Sequence, residues 1–130
     1  MAVVQRFEEL MIWQKARELC QDVYRITNYE LFSRDYKLRD QINASSGSVM
    51  DNIAEGYERN GNKEFVQFLY IAKGSCGETR SQLYRALDRK YIHQPEFEAL
   101  LTKAEFLSKS IMNFIQYLKK SDITGTKFRV

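Results

Sequence analysis

Four successive stretches of this chain repeat apolar side chains at three- and four-residue steps, and only one proline, Pro95, stands anywhere in its 130 residues. That spacing is the mark of amphipathic helices, and no alternating or hairpin pattern competes with it. The first stretch runs from about Phe7 to Asn28, with Trp13, Ala16, Leu19 or Cys20, Val23 and Ile26 on its stripe. Asn28-Tyr29 opens a loop. The second begins after Asp35, a good N-cap residue, and carries Leu38, Ile42, Ser45, Val49, Ile53 and Gly56. The turn signal Asn60-Gly61 follows it. Asn62 is expected to cap the third, whose stripe is Phe65, Phe68, Leu69, Ala72, Cys76, Thr79, Leu83 and Leu87, reaching Lys90. Pro95 opens the fourth, where a missing N–H costs nothing. Its seam from Phe97 through Leu100, Ala104, Leu107, Ile111 and Ile115 to Leu118 is almost heptad-like.

Helices of this length joined by short loops pack as antiparallel neighbours. The expected fold is therefore all-α, an up-down-up-down antiparallel four-helix bundle, with one domain over residues 1–120. Residues 121–130 show no periodicity and are expected to form a flexible tail. Gly47-Ser48 and Gly74-Ser75 sit mid-helix in the second and third stretches. Glycine inside a helix costs about 1 kcal/mol relative to alanine, so the two helices are expected to cross closely there. Gly77 extends the same small surface. Val66, Tyr70 and Tyr84, with Met11 and Tyr24, lie off the main stripes. Tyrosine suits interfaces, where one end is dry and the other wet, which favours a homo-oligomer over scattered surface aromatics.

No apolar stretch is long enough to span a membrane, and the first residues lack a signal-peptide shape, so the expected location is cytoplasmic. Cys20 and Cys76 lie within helical patterns and read as reduced, buried small hydrophobes. One histidine, His93, cannot supply a zinc site or a di-iron bundle centre. Phosphate-loop, dinucleotide, metalloprotease and nucleophile-elbow motifs are all absent. The expectation is no enzyme, no cofactor and no metal.

Asn52, Glu55 and Arg59 share one helix face beside Ile53 and Gly56. An amide, a carboxylate and a guanidinium in register can satisfy one another, and Glu55 before Arg59 is the favoured order. The four residues Asn52, Glu55, Gly56 and Arg59 read mainly as a structural polar cluster on an inward face, with a binding site as the alternative. A buried cluster of that kind loses roughly 3 kcal/mol or more when one charged partner is removed.

The net charge is +3, unevenly spread: residues 1–60 hold 8 Lys/Arg against 10 Asp/Glu, and residues 61–130 hold 12 against 7. Lys73, Arg80, Arg85 and Arg89, with Lys90 adjacent, give the third helix a positive outer surface. Lys103, Lys109, Lys119, Lys120, Lys127 and Arg129 add charge from the fourth helix and the tail. Cations spread along a helix can track a phosphate backbone without reading its sequence. Glu78, Asp88 and Glu105 interrupt the row.

Phe7-Glu8-Glu9-Leu10 with Trp13-Gln14-Lys15-Ala16, Gln41-Ile42, Ser48, Asn52-Ile53-Ala54-Glu55-Gly56 with Arg59, Lys63-Glu64-Phe65 and Ala72-x-Gly74-Ser75 form a specific combination. On those residues the chain resembles the 23S rRNA intervening-sequence proteins, bacterial four-helix bundles, over about residues 7 to 118. The family resembles in turn the accessory protein of diversity-generating retroelements, a basic homopentamer that binds nucleic acid and a reverse transcriptase. The resemblance implies a non-catalytic bundle and a ring of five as the first expected oligomer. Two departures stand out: Asn43-Ala44-Ser45 replaces an arginine pair common in the family, and the loop Tyr29–Tyr36 lacks its usual proline.

The reading that results is a cytoplasmic homo-oligomeric bundle binding nucleic acid, structured RNA first. The contacts expected are Lys73, Arg80, Arg85 and Arg89, supported by Lys127 and Arg129. The alternative is a protein-interaction scaffold for a partner such as a polymerase.

Overall fold

Each of the four stripes folds as a long helix. The computed structural model describes residues 4–124, in which α1 spans Met11–Thr27, α2 Glu30–Arg34, α3 Tyr36–Glu58, α4 Asn62–Asp88 and α5 Gln94–Thr124. No strand occurs among the described residues. α1 packs on α3 and α5, and α4 packs on the same two helices, so the four long helices form a square with sequential neighbours adjacent. The order is the up-down-up-down bundle. Leu19, Ile26, Leu38, Ile42, Ile53, Leu69, Leu83 and Ile111 fill its centre, each essentially without exposed surface. The pairing of α3 with α4 is the most extensive and that of α1 with α5 the sparest. The latter is closed by ion pairs: Lys103 reaches Asp22 at 2.8 Å and Glu18 at 3.2 Å, and Arg25 reaches Glu96 at 2.9 Å.

Several helix ends differ from expectation. Phe7–Glu9 forms a 3-10 turn and Leu10 is extended, so α1 begins only at Met11. Buried Leu10 and the edge-on Phe7–Trp13 contact, centroids 5.2 Å apart, fold this turn back on the bundle. The loop after Asn28 contains α2, because Phe32 is wholly buried and stacks on Tyr91 at 5.0 Å. An Arg34–Glu30 pair at 2.9 Å supports the turn from outside. Asp35 caps α3 as expected, accepting the Leu38 amide at 3.2 Å. Asn62 is not the cap of α4 but its first residue. Gly61 holds the cap position with φ of 108°, a left-handed conformation that suits glycine. α4 closes with Lys90 in left-handed conformation at φ 63°, Tyr91 N–H donating to Ala86 O and Lys90 N–H to Leu87 O. The helix α5 continues to Thr124, beyond the end of the apolar seam at Leu118.

The expected close crossing at Gly47 and Gly74 is not what the backbone shows. A Cβ added at Gly47, Gly74 or Gly77 would meet nothing within 4 Å. All three glycines lie off the buried stripes and face open space. The close approach is at Gly56, where an added Cβ would stand 2.7 Å from Phe68 Cβ and 2.9 Å from Phe65 Cδ1. The neighbouring serines do meet: Ser48 Oγ and Ser75 Oγ are 2.9 Å apart across α3 and α4. Val66 is also not surplus surface, being only 9% exposed.

Candidate nucleic-acid interface

Ser48 is the centre of a polar seam between α3 and α4. Asn52 Nδ2 donates to Ser48 O at 2.8 Å and to its Oγ at 2.9 Å. Farther along, Ser45 Oγ donates to Gln82 Oε1 at 2.6 Å and lies 2.8 Å from Thr79 Oγ1. Ser45, Thr79 and Gln82 are buried, so these bonds satisfy groups that water cannot reach. Asn52 thus belongs to this seam and not to a cluster with Glu55 and Arg59. Those two form their own pair at 2.9 Å, with 53% and 49% of their side chains exposed. The Arg59 guanidinium also lies over the Phe68 ring, 5.0 Å from its centre. Gly56 alone of the four is fully inward, and its role is the close approach to α4.

The expected row of cations on α4 is divided. Arg80 turns toward α5, its Nη2 3.5 Å from Glu105. Arg85 turns the other way, donating to Gln41 Oε1 of α3 at 3.3 Å. Arg89 also reaches α3, bonding Asp35 Oδ2 at 2.8 Å, and Tyr91 OH donates to the same oxygen at 2.8 Å. These donors and the Leu38 amide hold the Asp35 carboxyl below its ordinary range, the Tyr91 hydroxyl having the largest effect. Arg85 and Arg89 are therefore joints between α4 and α3. Lys73 is half-buried on the α5 side. Lys127 and Arg129 lie outside the described residues.

Lysines of α4 and α5 stand level with one another along the α4–α5 pair. The Cys76–Ala104 contact (3.2 Å, thiol to carbonyl) and the Phe65–Phe114 ring contact (5.6 Å) fix the antiparallel register. Counting from them, Lys73 stands level with Lys109, and Lys63 level with Lys119 and Lys120. The two steps are about 15 Å apart along the helices. α5 has no acid between Glu105 and Asp122, and Glu64 shares the Phe68 face of α4, toward α3. At the lower step a cleft of about 200 Å³ opens between the helices, walled by Val66, Leu118 and Tyr70 and rimmed by Lys63, Gln67 and Lys119. Lys119 Nζ donates to Tyr70 OH at 3.0 Å and lies 5.3 Å from the ring centre. From sequence Lys63 carries only the family resemblance and Tyr70 only interface surface. The short Asn60-Gly61 turn and the antiparallel order were the available signal, because they set the start of α4 beside the end of α5.

Other reactive groups are inert or isolated. Cys76 is buried, and desolvation pushes its thiol up to about 11, so it stays protonated at neutral pH. No group of metal-ligating side chains occurs among the described residues. No described helix is long and apolar enough to cross a membrane. Met11, Tyr24, Tyr70 and Tyr84 are exposed, as are Leu31, Tyr36, Ile71 and Phe106.

Comparison with known proteins agrees with this architecture. A crystal structure at 1.70 Å of a protein of unknown function from the S23 ribosomal protein family of Bacteroides thetaiotaomicron VPI-5482 has a similar fold, with a TM-score of 0.74. The similarity covers 81% of this chain and 98% of that one at 21% identity. No curated protein sequence matches the chain. The family model described as 23S rRNA-intervening sequence protein matches residues 8–113. With the bundle fold shared and most of its length matched, the chain belongs to the 23S rRNA-intervening sequence protein family.

Proposed function

We propose that this chain is a non-enzymatic, homo-oligomeric bundle that binds nucleic acid, structured RNA first, through phosphate contacts. The carrying observation is the α4–α5 register, which sets Lys63 level with Lys119 and Lys73 level with Lys109, with Lys120 adding charge at the outer face of α5. Ammonium groups on successive steps of a rigid bundle can follow a phosphate backbone, and their effect is screened by salt. Arg80, Arg85 and Arg89 stay in the proposed contact set as secondary members, since each already meets a side chain of the bundle. Lys127 and Arg129 remain supporting charges of the tail. Eight exposed large apolar side chains support self-association, and a ring of five is the first order to look for.

The test is anisotropy titration of a labelled RNA stem-loop at low and moderate salt, with light scattering to read the oligomer. Lys73→Glu combined with Lys109→Glu is expected to weaken binding about tenfold or more and to flatten the salt dependence. Absence of binding at low salt would sink this reading. The second reading, a cytoplasmic protein-interaction scaffold with a polymerase among its candidate partners, is favoured by the exposure of Tyr24, Leu31 and Tyr36, residues near α2 in sequence.

A further inference from the structure

The cleft at the lower lysine step differs from a simple phosphate track. Its walls are apolar: Val66 and Leu118 are buried, and Tyr70 presents its ring at 43% exposure. Its rim carries two ammonium groups, Lys63 and Lys119, with the Gln67 amide between them in sequence. Among the described residues no carboxylate lines it. Lys119 lies over the Tyr70 ring and donates to its hydroxyl, so the ammonium covers the aromatic face until a ligand displaces it. A duplex keeps its bases stacked inside and offers only backbone to such a site. An unpaired base offers a flat π face to an aromatic ring, an edge to an amide, and a phosphate on either side to cations.

We infer that this cleft takes one unpaired base of a single-stranded RNA segment, with Tyr70 as the stacking surface and Lys63 and Lys119 on the flanking phosphates. This rests on the phosphate-binding reading given above and adds to it the part of a structured RNA that the seam takes, its unpaired single-stranded loops. The base enters beside Tyr70 as Lys119 swings from the ring to a phosphate, while Gln67 meets the base edge. Because every base has a π face, sequence preference at the cleft is small.

The experiment compares a labelled oligoadenylate of about ten nucleotides with an RNA duplex of equal length, on the wild-type chain, Tyr70→Ala, Tyr70→Phe and Lys119→Gln. Tyr70→Ala is expected to weaken oligoadenylate binding about five- to a hundredfold with an unchanged salt slope, and to leave duplex binding as it was. Tyr70→Phe should keep most of the affinity. Lys119→Gln should reduce the salt slope by about one. Equal oligoadenylate affinity for the wild type and Tyr70→Ala overturns the inference, and so does an equal loss on the duplex. If both RNAs bind while Tyr70→Ala is neutral, the phosphate reading survives alone; if neither binds at low salt, both fall. A changed oligomer in Tyr70→Ala by light scattering would assign the cleft to a second copy and overturn the inference too. Circular dichroism guards against misfolding, which is not expected at a half-exposed side chain.

Discussion

Gly56 and Phe68 stand so close that a Cβ on the glycine would come within 2.7 Å of the phenylalanine Cβ. The neighbour is the stem of a helical residue and cannot rotate away, so Gly56→Ala must push α3 and α4 apart. Overpacking of this kind costs about 1–3 kcal/mol, more than the helix propensity gained from alanine. Gly74→Ala meets open space and is expected to stabilise by about 1 kcal/mol. Denaturant melts of the two variants at low protein concentration measure the contrast. Equal effects would contradict the crossing described.

Asp35 ties the start of α3 to the end of α4, and its contribution depends on pH. Its folded pKa lies below the unfolded one, so the stabilisation is complete above the unfolded value and is lost as pH falls through the folded value. Asp35→Ala is expected to cost about 1–2 kcal/mol at pH 7 as a lost cap alone. Urea melts from pH 7 to pH 3 should show the gap to the wild type narrowing toward acid. A gap that widens would refute the assignment.

The Glu55–Arg59 pair is half-exposed on both sides, so solvent screens it. Arg59→Ala is expected to cost less than about 1 kcal/mol, including the contact with Phe68. That is well under the roughly 3 kcal/mol expected of a buried cluster. Thermal melts in low and high salt decide the matter, since only an exposed pair weakens with salt.

The stripes were legible because burial repeats at the helical period, and Asp35 was legible as a cap because its chemistry is local. α2 was hidden because one turn carries no periodicity and depends on Phe32 meeting Tyr91 from a distant loop. Gly47 and Gly74 are poor markers of the crossing because a helical glycine signals contact only when it stands on the buried face. Gly47 follows Ser45 by two positions and so falls off the stripe that Ser45 shares with Val49. Both helices were legible as basic, but only the α4–α5 register shows that Lys73 and Lys109 share a level.

The polar seam of Ser45, Ser48, Asn52, Ser75, Thr79 and Gln82 acts on α3 and α4 as a ratchet tooth acts on its wheel. Apolar helices can slide by a turn and find new greasy neighbours at little loss. Here a one-turn slip would break the Ser45–Gln82, Ser45–Thr79 and Ser48–Ser75 bonds together, each between groups wholly or partly shut off from water. The α3–α4 half is thus indexed to a single setting. Any breathing of the bundle is left to the α1–α5 side, whose closures are ion pairs at the water's edge.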